Sequence, residues 1–303
     1  MTDINKKIRY RLRAVLARGL LVLFAILPLR LSHGIGYLIG IVGNLFHNEM
    51  RYASRINIRI CLPQLSALRQ LTLTKRFLIE TGKTFTETSA MLLWPKWLIL
   101  RTIKSVDGEE LVQQAQSEGK GVIFAIPHLG SWEMIGLYCS SRYPMTSLYR
   151  PARLQAMDAT IRRGRERFGA RLVPTDNHGV RALLKALSRG ETVAILPDQV
   201  PTQGQGQYAP FFGIPAYSAT LLSRLAEKTH AVVIFTYAQR LSWGRGYRLH
   251  FLPPPEPINS SNLPESVAAV NKGVEMCVRE CPEQYQWGYR RFKNPPEGES
   301  SIY

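Results

Sequence analysis

From Thr102 onward, short apolar runs alternate with amphipathic ones, and this alternation limits the possible folds more than any other feature of the chain. Strands are expected near 103–106, 122–126, 145–149, 170–173, 192–196, 231–238 and 247–251. Helical periodicity occupies most of the intervals, at 109–118, 131–141, 154–168, 180–188 and 218–227, and returns at about 264–280. Strands that alternate with helices predict an α/β fold, with a mostly parallel or mixed central sheet flanked by helices on both faces. The last two strands, joined around Trp243-Gly-Arg-Gly246, read as a hairpin at one edge. Gln203-Gly-Gln-Gly-Gln207 reads as a flexible loop and not a P-loop, because no Gly-Lys-Ser/Thr follows.

A chain of 303 residues with 45% hydrophobic content can bury a full core, as one large α/β domain or two small ones. Its formal net charge of +17 points to an anionic partner: nucleic acid, anionic lipid or an acidic protein. Nucleic acid is disfavoured, since the chain has no zinc-finger spacing, RNP-like box or long basic tail. Cys61, Cys139, Cys277 and Cys281 have neither metal-ligand nor disulfide-framework spacing, and are expected to be reduced, mostly core residues in a cytosolic environment.

The N-terminus carries Lys6, Lys7, Arg9, Arg11, Arg13 and Arg18 ahead of an eleven-residue apolar run, 19–29. No small-x-small cleavage site follows, and hydrophobicity resumes at 35–42, which argues against a signal peptide. The run falls short of the roughly 20 residues of a spanning helix. A short tilted span, an in-plane anchor and a buried helix all fit. A break is expected from Pro28 to Gly36, then a second helix to about Phe46, and a long helical stretch from Gln64 to Leu93. Trp94-Pro-Lys-Trp97 ends that stretch, either as an interfacial anchor or as a core corner. The division expected is an N-terminal membrane-anchoring helical region, 1–60, and a catalytic domain, 61–303.

Ligands of open α/β sheets bind beyond the carboxyl ends of the strands. His128, Arg150 and Asp198 all fall at such places, and an Arg-rich helix follows Arg150. In Phe124-Ala-Ile-Pro-His-Leu-Gly-Ser-Trp-Glu133, an imidazole follows a strand and a carboxylate lies five residues on. Ser131 is placed to cap the next helix. If His128 folds back onto the first turns of that helix, Glu133 orients it and the pair forms a general base. Seven Arg lie between Arg150 and Arg171. Arg162 and Arg165 share one helix face, and Arg163 and Arg167 another. One face is expected to be solvated and paired with Glu166, and the other to bind phosphate. With no Gly-x-Ser-x-Gly elbow, a serine-hydrolase mechanism is disfavoured.

The His-x4-Glu pair is similar to the HX4D/E motif of glycerolipid acyltransferases. More of the chain resembles the late acyltransferases of lipid A biosynthesis, the lauroyl/myristoyl transferase family. The resemblance rests on His128-Leu-Gly-Ser-Trp-Glu133, Leu148-Tyr-Arg-Pro151, Gly164-Arg165, Leu196-Pro-Asp-Gln199, Pro210-Phe-Phe-Gly213 and Gln284-Tyr-Gln-Trp-Gly-Tyr-Arg-Arg-Phe-Lys293. It implies a glycerolipid-acyltransferase-like fold with an N-terminal membrane-associated helix. It also implies transfer of a fatty acyl chain from acyl carrier protein to a hydroxyl of a Kdo-bearing lipid A precursor, at the cytoplasmic face of the bacterial inner membrane. Related families acylate phosphatidylinositol mannosides, ornithine lipids or lysophospholipids, and a non-catalytic basic membrane-binding protein is the rival from another class. On the acyltransferase reading His128 and Glu133 are catalytic, Arg150, Arg165 and Asp198 bind substrate, and membrane lipids are partners. The acyl thioester is already activated, so neither metal nor cofactor is expected. Backbone N–H groups from Gly130 to Trp132 are the expected oxyanion donors. Trp132, Ile135, Phe211 and Phe212 are expected either to line an acyl groove or to pack in the core.

Overall fold

The computed structural model describes residues 3–152 and 154–303. Side chains of Asp3, Ile4, Lys6 and Lys7, and all of Arg153, lie outside the described residues. Helix α1 (Asp3–Ile26) is followed by α2 (Leu29–Leu45). The break is much shorter than the sequence suggests: Pro28 takes the N-cap of α2, and the helix resumes at once. Gly36 and Gly40 do not interrupt α2, because they serve packing. The next helices are α3 (Glu49–Cys61), α4 (Ala67–Leu93) and α5 (Lys96–Arg101). A Cβ on Gly36 would lie 2.5 Å from Lys83 Cα, and one on Gly40 2.3 Å from Ile79 Cα. Only glycine lets the α2 and α4 backbones approach so closely.

The buried side of α2 is Leu29, Ser32, His33, Gly36 and Gly40, while Leu31, Leu38, Val42 and Leu45 are exposed. Among the described residues, no helix is long and apolar enough to cross a membrane, so the spanning alternative for the N-terminus finds no support. Trp94 and Trp97 separate in role. Trp94 is half-buried, with its Nε1–H donating to Ala25 O at 2.5 Å, whereas Trp97 is exposed.

The rest of the chain builds the sheet in the order β1 (Ile103–Asp107), α6 (Glu110–Ser117), β2 (Val122–Ala125), α7 (Trp132–Arg142), β3 (Met145–Tyr149) and α8 (Gln155–Glu166). Then come β4 (Arg171–Pro174), α9 (Asn177–Ser188), β5 (Thr192–Ile195), β6 (Gly206–Phe211), β7 (Ile214–Ala219) and α10 (Leu221–Thr229). The last elements are β8 (Val232–Arg240), β9 (Tyr247–Leu252) and α11 (Leu263–Glu280). Seven strands form one sheet in the order β1-β9-β8-β2-β5-β3-β4, parallel except where β8 meets β9. The α/β reading with a mostly parallel mixed sheet therefore holds.

Two local expectations change. The β8–β9 hairpin is not the edge, because β1 pairs in parallel outside β9. The segment after Gln203 is not all loop. β6 and β7 form a separate antiparallel pair, turned at Phe212-Gly213, both with positive φ as a tight two-residue hairpin requires.

The two faces of the sheet explain the strand composition. Every residue of β2 and β5 is buried. Ile123, Ala125, Val193 and Ile195 pack towards Leu183, Leu225 and Val274, from α9, α10 and α11. Val122, Phe124 and Ala194 pack towards Met134, Ile135 and Cys139 of α7. All four cysteines are free and buried, and burial pushes the Cys139 thiol well up.

Candidate active site

β2 and β5 are neighbours in register, with Ala125 opposite Ile195. Each strand then ends alike: Ile126-Pro127-His128 on one, Leu196-Pro197-Asp198 on the other. Proline donates no ladder hydrogen bond, so both chains leave the sheet at the same level. His128 and Asp198 consequently stand side by side. The Nδ1–H of His128 donates to Asp198 Oδ1 at 2.8 Å, and its backbone N–H donates to Oδ2 at 2.9 Å. Asp198 is buried, and the His128 ring remains partly accessible, 5.4 Å from the Trp132 ring between centroids. Burial alone would raise the Asp198 pKa, but the adjacent His128 and its two hydrogen bonds hold the carboxyl below its usual range. A carboxylate on Nδ1 fixes the tautomer that leaves Nε2 free as a base. Gln199 Nε2 lies 3.2 Å from that nitrogen and donates to Gln286 Oε1 at 3.0 Å.

Glu133 is in the first turn of α7 but is bonded elsewhere. Arg165 on α8 grips it with both arms: Nε donates to Oε2 at 2.9 Å, and Nη2 donates to Oε1. Arg165 also lies over the Tyr149 ring, 5.7 Å from its centroid. Burial works against the Arg165 charge, and the Glu133 carboxylate more than offsets it, so the guanidinium pKa is raised. The expected His128–Glu133 hydrogen bond is thus replaced by two pairs, His128–Asp198 and Glu133–Arg165.

The family described as bacterial lipid A biosynthesis acyltransferase matches the chain over residues 2–294. The chain belongs to that family. It is 30% identical to the lipid A biosynthesis palmitoleoyltransferase of Escherichia coli (strain K12) over 289 residues, covering 94% of this chain and 92% of the relative. The lauroyltransferase of lipid A biosynthesis from the same organism is 27% identical over 286 residues, covering 94% and 92%. The myristoyltransferase is 24% identical over 259 residues, covering 84% and 78%. The protein is therefore an acyltransferase of lipid A biosynthesis.

In this acyltransferase the Gly164-Arg165 pair has a packing reason. A Cβ on Gly164 would meet Leu92 Cδ2 at 2.8 Å and Leu92 O at 3.0 Å, so the glycine sets α8 against the end of α4. Arg167 then closes α4, donating to Leu92 O at 2.7 Å, Met91 O at 2.6 Å and Trp94 O at 2.9 Å. It is a helix cap, not a phosphate ligand. Arg162 pairs with Glu166, as expected of a solvated face. Arg150 follows β3 and is exposed, and among the described residues its side chain makes no hydrogen bond or ion pair.

The acyltransferase loop 128–131 is clamped from two sides. The N–H of Gly130 donates to Gln284 O at 3.1 Å, that of Ser131 to Ala238 O at 2.9 Å, and that of Gln286 to His128 O at 3.1 Å. Gly130 has φ +59°, and a Cβ there would lie 2.0 Å from Ala238 O. Two of the three expected oxyanion donors, the N–H groups of Gly130 and Ser131, are therefore already committed to carbonyls. Ser131 stands at the N-cap of α7 without a side-chain cap hydrogen bond. Ile135 and Phe211 are core residues, while Trp132 is half-exposed beside His128.

Beneath the loop lies a buried charge cluster that the sequence did not announce. Arg240 donates to Glu87 Oε2 at 2.8 Å and Oε1 at 2.5 Å, to Glu80 Oε2 at 2.8 Å and to Gly130 O at 3.3 Å. Glu87 also accepts from Tyr247 OH at 2.8 Å and pairs with His33 Nε2 at 2.8 Å. Burial would push the Glu87 carboxyl up, but the Arg240 charge and the hydrogen bonds from Arg240 and His33 hold it far below the carboxylate range. These residues lie far apart in sequence within unremarkable helical and strand patterns, so no local signal marks them. Arg291 is a second buried cation. It bonds Tyr217 O at 2.8 Å and Ser218 Oγ at 2.6 Å, has no carboxylate within ion-pair distance among the described residues, and shares a small internal space with Asp198.

Proposed function

We propose that the protein transfers a fatty acyl chain from the thioester of acyl carrier protein to a hydroxyl of a Kdo-bearing lipid A precursor. His128 Nε2 removes the hydroxyl proton as the oxygen attacks the thioester carbonyl. Asp198 holds the tautomer and stabilises the imidazolium. The tetrahedral intermediate collapses, the C–S bond breaks, and His128 returns the proton to the departing thiolate. The Gln199 amide donates to the oxyanion. Arg165, held by Glu133, meets an anionic group of the acceptor, and Arg150 extends that cationic edge. No metal or cofactor takes part; acyl carrier protein brings the co-substrate.

The observation that carries this reading is the two-point grip of Asp198 on His128 at the ends of adjacent parallel strands, within a chain of the lipid A acyltransferase family. The protein works at the cytoplasmic face of the inner membrane, held by α1 and α2 lying in the interface. Support for that placement comes from the exposed Leu12, Leu16, Leu23, Leu31, Leu38 and Leu45 along these helices, accompanied by Arg9, Arg11, Arg13 and Arg18. Purified protein should acylate a Kdo-bearing precursor from acyl carrier protein thioesters, and His128→Ala should lose on the order of 10²–10⁴-fold in rate. Normal turnover by folded His128→Ala overturns the mechanism. Acyl transfer only from coenzyme A thioesters, or only to a lysophospholipid, overturns the substrate assignment.

A further inference from the structure

An open groove of about 1120 Å³ lies between the α1–α2 turn, α5 and the β8–β9 turn. Its lining includes none of His128, Glu133, Arg165 or Asp198. The floor is apolar, formed by Ala25, Leu29, Trp94, Leu98 and Leu241. Its lining also contains four cations, Arg30, Arg101, Lys104 and Arg245, and no acid. All four are exposed, and among the described residues none is within ion-pair distance of a carboxylate. Four unpaired cations beside hydrocarbon-like walls repel one another and attract an anion with an apolar body.

Two indoles extend the groove outward. Trp97 is 59% exposed, with Arg101 at 6.0 Å from its ring centroid. Trp243 is 86% exposed and sits in a left-handed backbone conformation, φ +59°, that non-glycine residues rarely adopt. The turn carrying it lies against Arg30, since a Cβ on Gly244 would be 2.6 Å from Arg30 Cα. An indole this exposed, held on a strained turn, contributes little to the core. Indoles favour the headgroup level of a bilayer, where the ring is half in hydrocarbon.

We infer that this groove binds one anionic glycerophospholipid of the bilayer. Its phosphate meets Arg101, Lys104, Arg245 and Arg30, and an acyl chain lies along Leu29, Leu98 and Leu241. Free phosphate would leave the apolar floor uncovered, and a neutral lipid would leave the cations unpaired. The site is separate from the catalytic groups, so it does not depend on their assignment.

The test is native mass spectrometry of the full chain, delipidated and then titrated with dioleoylphosphatidylglycerol or dioleoylphosphatidylcholine. Wild-type protein should retain one phosphatidylglycerol. The triple variant Arg101→Gln/Lys104→Gln/Arg245→Gln should bind it roughly 30- to 100-fold more weakly, at about three- to fivefold per cation. The remote control Arg181→Gln/Lys185→Gln/Lys228→Gln, exposed on α9 and α10, should bind as wild type. Equal loss in both triple variants would reduce the effect to net charge and overturn the site. Equal retention of phosphatidylcholine would overturn the role of the cations. Competitive displacement by a bisphosphorylated glucosamine lipid would reassign the groove to the acceptor.

Discussion

His128 and Asp198 stand three residues beyond Ala125 and Ile195, which face each other across adjacent parallel strands. The same offset on in-register strands, with a proline at the same place in each, brings imidazole and carboxylate to 2.8 Å. Asp198→Asn preserves shape and burial but offers Nδ1 a group able to donate as well as accept, and removes the charge that stabilises the imidazolium. The rate should fall on the order of 10²–10⁴-fold, with a smaller change in KM. Steady-state kinetics on folded protein check this, and a loss no larger than for Gln286→Ala would contradict the orienting role.

Glu133 and Arg165 should behave as one unit. Glu133→Gln and Arg165→Gln each break the pair, so the double variant should cost little more than either single one, leaving a coupling of about 1–3 kcal/mol in kcat/KM. Arg165→Lys should also fail, because an ammonium cannot grip both carboxylate oxygens. Arg163→Lys, on the exposed face of α8, should retain activity. Independent, additive effects at 133 and 165 would show that the pair is incidental to turnover.

The Glu87–Arg240 cluster should govern stability. Arg240→Met strands two carboxylates, one of them fully buried, and should destabilise the fold by about 3–5 kcal/mol. Urea unfolding followed by far-ultraviolet circular dichroism measures it. A change below 1 kcal/mol would mean that water or rearrangement satisfies Glu87.

Acid should expose the same cluster. The Glu87 carboxyl is depressed in the folded state from an ordinary value of 4.5. Its contribution is therefore complete above that pH and is lost as pH falls towards the folded value, because the unfolded chain takes up the proton first. Asp198, also depressed, acts in the same direction. Wild-type stability should drop steeply from about pH 5 to pH 3, and the slope should be shallower in Glu87→Gln. Identical slopes would place the acid sensitivity elsewhere.

Deletion of residues 1–24 should shift the protein partly from membranes to the soluble fraction. Cutting later would remove Ala25, which accepts from Trp94, and Leu29 of the core. The remaining attachment should depend on Trp97 and Trp243, so adding Trp97→Ser/Trp243→Ser to the deletion should release most of the protein. Unchanged sedimentation of that combined variant would rule out the interfacial placement.

Local chemistry was enough to place most elements. The apolar runs and the helical periodicity between them located the seven strands of the main sheet, and strand-end position marked His128, Arg150 and Asp198. β6 and β7 escaped because Pro210 and Pro215, polar residues and flanking glycines hide a strand pattern. Gly36 looked like the end of a break, because its close approach to α4 is visible only once both helices are placed. What composition and periodicity could not decide was strand order. A parallel crossover can set a strand beside any of several neighbours, and here β5 comes between β2 and β3, so Asp198 arrives at His128 from seventy residues away. Glu133, only five residues from His128, turns to Arg165 instead, because α7 begins at Trp132 and directs the Glu133 side chain towards α8. The residue types and their strand-end level were written in the chain; the partners were chosen by sheet order and helix direction, which only the packing of the whole core determines.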